Sequence, residues 1–424
     1  MPQIAPATQL LPHALFCIPL CIPLCIPLCI LGACQSAGSS GARARTAESK
    51  VADSRPATPE LAKAALPTSL RINRGAEFSE DERDASALEE SLLAFLSEAD
   101  EGEFTDATVP PGDILGHEFF FRGLKGLSSR ANETWDPPTF LKSYSFDDET
   151  YFVTAAFTGK RDGAPFLHKI VELKAVPHGD GFRFTSPFEE RTARLTAVQI
   201  GNVTFHHGAP LDEAEARRFV RFREGFSELT GTPSPPLDYY CFESLDELLS
   251  SFGFVFDCTK CNFLAHDLGF LSPDGQRFYT GTDNPSYIFE YVEGHLRHFL
   301  PNPEELYGPF VIGTSVCYGG YALSGSGLPE LKGEFREALA ANPDMDFLEE
   351  FKKGRGASVN RHFSFYVMSA FLCELALENG GFEAVRRLLH SGSEGERFFE
   401  NLEQVLGVTE SNFHLTITGC IAAD

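Results

Sequence analysis

Apolar residues recur along this chain with two different periods. From residue 86 to 99, Leu88, Leu92, Leu93, Phe95 and Leu96 repeat at three- and four-residue intervals, which predicts an amphipathic helix. A break follows at Thr108, Val109, Pro110, Pro111 and Gly112. Between 114 and 205 the pattern turns strand-like: residues 151–157, 166–176, 181–185 and 198–205 carry β-branched or aromatic side chains between turn signals. The link from His178 to Gly181 predicts a hairpin. The helical period returns at 211–222, where an acidic first turn opens a basic amphipathic helix. Residues 237–242 predict a strand, and Ser244 with Glu247 forms a capping box for the next helix.

From residue 287 onward the pattern is helical. Residues 287–300 predict an aromatic-rich amphipathic helix with His295 and His298 at i and i+3. Residues 308–321 open on a Gly308-Pro309 turn, continue as an apolar helix and break at Gly319-Gly320. Further helices are predicted at 328–341, 345–353, 363–379, 382–389 and 397–406, with Gly380-Gly381 ending the third and Gly407 capping the last. The 363–379 segment is apolar around most of its circumference and should be buried.

The amino terminus has a different character. Residues 15–31 are almost wholly apolar and lead into Leu31-Gly-Ala-Cys34, which resembles the lipobox of bacterial lipoproteins. That resemblance implies a signal peptide over 1–34, lipid on Cys34, and export to the cell envelope. Gln35, in place of an aspartate after the cysteine, implies the outer membrane. The absence of Lys and Arg from residues 1–16 departs from the usual basic start of a signal. Residues 35–85 are rich in Ala, Thr, Pro and Arg without sustained periodicity, and predict a flexible linker.

The 424 residues suffice for two or three domains, and 43% hydrophobic content allows sizeable cores. Against 35 basic residues stand 60 acidic ones, a net charge of −25 that disfavours nucleic acid and anionic membrane surfaces as partners. Membrane contact is then expected only through the lipid anchor.

The tandem segments at 287–300 and 308–321 resemble the peptidase-MA-like gluzincins of exported bacterial proteins. That family pairs a His-Glu-x-x-His helix with a downstream Glu-Gly-x-Ala-x-Tyr-x-Gly-Gly segment. Gly313, Gly319 and Gly320 match the second motif, but Ile312 stands at its glutamate ligand. On the first motif Gly294 stands at the first ligand, His295 at the general base, and His298 at the second ligand. The resemblance extends over roughly residues 200–415, including the helices that look like the family's cap. It implies a gluzincin-like (zincin) domain over 206–424 with a mainly α-helical C-terminal half; with the small strand-rich domain that the residue pattern predicts over 86–205, the expected fold class is α+β.

Glycine and isoleucine offer a metal no donor atoms, and histidine cannot replace a carboxylate base. The expectation is therefore a catalytically inactive pseudopeptidase without zinc or another cofactor, binding a peptide, glycan or protein of the envelope in the old cleft. The alternative is a metal-dependent hydrolase with a rebuilt zinc site around His295 and His298, aided by Glu290 or Glu293.

Other constellations carry less. Cys258 and Cys261, with His266 nearby, form a single C-x-x-C, for which a disulfide or another cysteine pairing is favoured over free thiols or a metal in an oxidising compartment. Cys317 and Cys373 lie in apolar helices and read as buried thiols. His206 and His207 read as structural, and Ser324 to Gly327 as a glycine-rich loop without a nucleophile frame. The lipobox resemblance has a direct test. Cys34→Ala should move the protein from the membrane to the soluble fraction, and unchanged partitioning would refute lipidation at Cys34.

Overall fold

The computed structural model describes residues 71–72, 82–101, 104–111, 113, 133–135, 139–145, 150–161, 163–257, 268–272, 274–321, 326–353, 359–393, 395 and 397–422. In chain order its first elements are β1 (Arg71–Ile72), α1 (Glu82–Glu101), β2 (Glu133–Trp135), β3 (Thr139–Ser145), β4 (Tyr151–Arg161), β5 (Ala164–His178) and β6 (Gly181–Thr185). Then come α2 (Phe188–Thr192), β7 (Thr196–Ile200), β8 (Val203–His207), α3 (Glu213–Thr230), β9 (Leu237–Cys241), α4 (Leu245–Ser251), β10 (Phe254–Asp257), β11 (Gly269–Leu271) and β12 (Arg277–Thr280). The helical part comprises α5 (Phe289–Phe299), α6 (Gly308–Gly319), α7 (Leu328–Ala341), α8 (Phe347–Lys353), α9 (Val359–Leu389), α10 (Phe398–Leu406) and α11 (Phe413–Ala422).

The first sheet is ordered β1-β3-β4-β5-β10, with β2 added to β4 and β6 to β5. Alternation along β5 and β6 turns Val171, Leu173, Phe182 and Phe184 into a core under α1. Of the predicted α1 stripe, Leu88, Leu92, Phe95 and Leu96 are buried, while Leu93 is only half-buried. The hairpin between β5 and β6 closes through the His178–Gly181 pair, with Gly179 at φ +61°. Glycine reaches that region without steric cost.

The second sheet is ordered β11-β12-β9-β8-β7. Its centre is parallel, with β8, β9 and β12 side by side, and both edge pairs are antiparallel. Each face is buried against something different. Phe205, Tyr239 and Phe278 turn toward the helices, whereas Tyr240, Tyr279 and Phe270 join the core of the first sheet. On that side Phe188 meets Tyr240 at a ring separation of 4.9 Å and stacks on Phe252 at 4.6 Å.

The strand pairing does not follow the boundary expected at residue 205. That position lies inside β8 of the second sheet, while β10, far downstream, completes the first. The crossing is held at Gly253, whose φ is +101° and whose carbonyl accepts from Glu172 N at 2.7 Å. A side chain there would fall on the Glu172 carbonyl, so only glycine lets α4 deliver β10 to β5.

The helices pack as a layer on the second sheet. α9 is broken at Gly380 and Gly381, the latter at φ +63°, as the sequence predicts. Within it Phe365, Val367, Met368, Phe371, Leu372, Cys373 and Ala376 are buried on several sides. α11 lies beyond the last predicted helix and packs on α7, α8 and α9. No described helix is long and apolar enough to cross a membrane. Leu372 has no exposed surface, so Leu372→Asp should lower stability by about 4 kcal/mol through buried charge and lost packing. Urea unfolding checks this, and an unchanged midpoint would mean that this helix is not a core element.

Candidate functional site

α5 is wedged between the edge strand β11 and α6. Its inner face carries Phe289, Glu290, Tyr291, Val292, His295 and Leu296, while Arg297 and His298 face out. The two histidines at i and i+3 therefore have different environments. His298 is exposed and lies beside Phe299 and the turn at Gly275. His295 is 0% exposed.

Both ring nitrogens of His295 are engaged. Nε2 is 2.6 Å from Thr232 Oγ1, and Nδ1 is 3.2 Å from the Tyr291 hydroxyl. The donor directions can be followed from the fixed end. Arg223 Nε donates to the Tyr291 hydroxyl at 3.1 Å, so that hydroxyl turns its own proton to His295 Nδ1. The imidazole is then protonated on Nε2 and donates to Thr232, which donates to Thr230 at 2.6 Å. Thr230 closes the string by donating to Phe226 O at 2.8 Å. Burial first, then the charge of Arg223 and the neighbouring His298, hold the His295 pKa down to about 3. It is a neutral histidine at any ordinary pH.

Arg223 itself is 1% exposed. Besides Tyr291 it donates to Asn202 Oδ1 at 2.8 Å and to Pro235 O. Sequence reasoning missed this residue, Tyr291 and Thr232. A signal was present: Arg223 sits among Phe219, Phe222 and Phe226 on α3, a cation inside an apolar stripe.

The remaining positions of the resemblance are packed. A Cβ on Gly294 would approach Leu271 Cβ to 2.6 Å, so a longer side chain there collides with β11. Ile312 is half-buried against the helical core. Glu290 is 4% exposed, and its Oε1 accepts from Leu268 N at 2.9 Å. Glu293 pairs along its own helix with Arg297 at 3.0 Å. Gly294, Ile312 and the two histidines thus do not fit a zinc ion: two positions lack donors, one histidine is committed on both nitrogens, and the other faces out. Among the described residues no three His, Cys, Asp or Glu side chains converge as a metal site.

The matching glycines are close-approach residues. A Cβ on Gly319 would lie 2.7 Å from Phe289 N, and one on Gly313 would fall on Ser369 of α9. Elsewhere, His206 Nε2 meets Asp238 Oδ1 at 3.0 Å and its ring stacks on Tyr240 at 4.3 Å. His207 Nδ1 lies 2.6 Å from Ala209 O. Cys34, Cys258, Cys261 and His266 lie outside the described residues, as do residues 322–325 of the glycine-rich loop.

A cleft of about 660 Å³ opens between α7, α9 and α11, and none of its lining residues belongs to α5 or α6. Lys332 and Arg336 stand on one wall, with Glu374 and Glu378 on the other over Phe371 and Leu375. Lys332 reaches across to Glu374 at 2.9 Å. No protein-family model and no curated protein matches the chain.

The depressed His295 pKa makes a stability prediction. Above pH 6.5 the group is neutral in both folded and unfolded chains; below it the unfolded chain binds the proton first, so stability falls as pH drops toward 3. At pH 4 the loss from this group is about 3 kcal/mol. The stability advantage of the wild type over His295→Gln should therefore shrink between pH 7 and 4 in denaturant titrations. A difference independent of pH would contradict the neutral assignment.

Proposed function

We propose that the chain is a lipid-anchored, catalytically inactive metallopeptidase-like protein that acts by binding in the bacterial cell envelope. The observation that carries it is the commitment of His295. The residue at the general-base position is fully buried, hydrogen-bonded on both nitrogens and held neutral. The gluzincin-like part of the proposal is supported by element order: a mixed sheet, an antiparallel edge strand, then two helices in tandem. The lipid anchor and the envelope location rest on the sequence around Cys34.

For binding, the old ligand positions provide no room, since Gly294 abuts Leu271 and Ile312 packs on the core. The cleft between α7, α9 and α11 has a volume in the range of small-ligand sites, with an apolar floor and charged walls. It suits a short peptide, a glycan or a projecting loop of a protein partner better than the α5–α6 seam does. The competing hydrolase around His295 and His298 needs a lone pair on each imidazole directed at one point. His295 Nδ1 already accepts from Tyr291, and Nε2 carries its proton toward Thr232.

Two measurements on the purified protein test the proposal. Metal analysis should find no stoichiometric zinc, and a peptide library should remain uncleaved. Stoichiometric zinc, or cleavage abolished by His298→Ala, would overturn it in favour of the hydrolase.

A further inference from the structure

Helices in contact ordinarily keep their axes 8–10 Å apart, about as far as their side chains dictate. α6 and α9 press together at a point where one of them has no side chain. A Cβ on Gly313 would fall on the Ser369 side chain and lie 2.6 Å from the Ser369 carbonyl carbon. Cys317 follows Gly313 by four residues, and Cys373 follows Ser369 by four. Each cysteine is thus one turn beyond the point of closest approach, on the same face of its helix. The two thiols lie near enough for each to influence the other.

Their surroundings differ in a useful way. Cys373 is 0% exposed and lies beside Thr314. Cys317 is half-buried and therefore reachable. The other described cysteines keep different company. Cys241 lies beside Thr280 and Tyr239, and Cys420 lies near Glu374, Lys332 and Glu378. A disulfide needs Cα atoms within about 4.4–6.8 Å, so the two helices must approach closely near the cysteines. Gly313 lets the backbones approach one turn before them.

We propose that Cys317 and Cys373 are a disulfide-forming pair that fastens α6 to α9 when the protein meets a disulfide-donor oxidant. The half-exposed Cys317 sulfur attacks the donor disulfide; one donor sulfur bonds to it and the other leaves as a thiol. The Cys373 sulfur then attacks Cys317 in this mixed disulfide and releases the second donor thiol. The two thiol hydrogens of the protein end on the two donor thiols, and the two electrons lost by the cysteines reduce the donor. No movement of α5 is required, and the step stands apart from the binding reading.

The test uses the full chain, reduced and then incubated with oxidised glutathione, blocked with an alkylating reagent and digested for mass spectrometry. A peptide pair joining Cys317 to Cys373, abolished by dithiothreitol, is the expected result. The oxidised protein should melt about 5 °C above the reduced one, since the link closes a long loop in a chain of this size. Cys317→Ser should lose both the linked peptide and the shift, whereas Cys420→Ser should keep both. The proposal is overturned if Cys317 and Cys373 are both alkylated after oxidation, or if Cys317 carries glutathione without joining Cys373.

Discussion

A buried guanidinium sets the terms for the centre of this protein. Arg223 is 1% exposed, and its bonding partners among the described residues are neutral: the Tyr291 hydroxyl, the Asn202 amide and the Pro235 carbonyl. An uncompensated buried cation costs several kcal/mol, so each acceptor has to be held in place. Those acceptors come from the turn between β7 and β8, the loop before β9, and α5. The single side chain therefore registers the sheet and two helices against one another. His295 is held neutral first by its burial, and the same guanidinium adds to this, because a second cation beside Arg223 is repelled in a medium that screens little.

What the sequence made legible was local. The stripe of α1, the capping box at Ser244, the tandem helices α5 and α6, and the break at Gly380-Gly381 all follow from residue spacing within one or two turns. Strand partnership was not legible. β8 and β10 each alternate like their neighbours, and nothing in that alternation says that β8 leaves the first sheet or that β10 returns to it. α11 was hidden for a different reason. Its Thr416, Ile417 and Thr418 are β-branched residues of modest helix propensity, and packing of Phe413, Ile417 and Ile421 on the other helices decides the conformation.

The candidate site shows the same division between local and distant causes. The i, i+3 spacing of His295 and His298 was readable, but spacing alone does not orient them toward one point. Which of the two turns inward depends on Tyr291 one turn earlier, on Thr232 sixty-three residues away, and on Arg223. The contact between Cys317 and Cys373 was invisible for the same reason. It depends on Gly313 meeting Ser369, a pairing that neither helix encodes by itself.

The glycines that carry the family resemblance are worth separating from the ligand positions. Gly313 and Gly319 are needed wherever α6 presses on α9 and on the start of α5, whatever stands at residues 294, 295 and 312. Helix packing thus accounts for these glycines by itself, and nothing in the packing demands a carboxylate at 312. With Leu271 against Gly294 and Ile312 packed on the helical core, open volume lies elsewhere. The cleft between α7, α9 and α11 has that volume, with Lys332 and Glu374 bridging its walls. On the binding role proposed above, an ion pair beside Phe371 favours a partner that brings both polar and apolar surface, because separating the two charges without replacement is costly where Lys332 is largely buried.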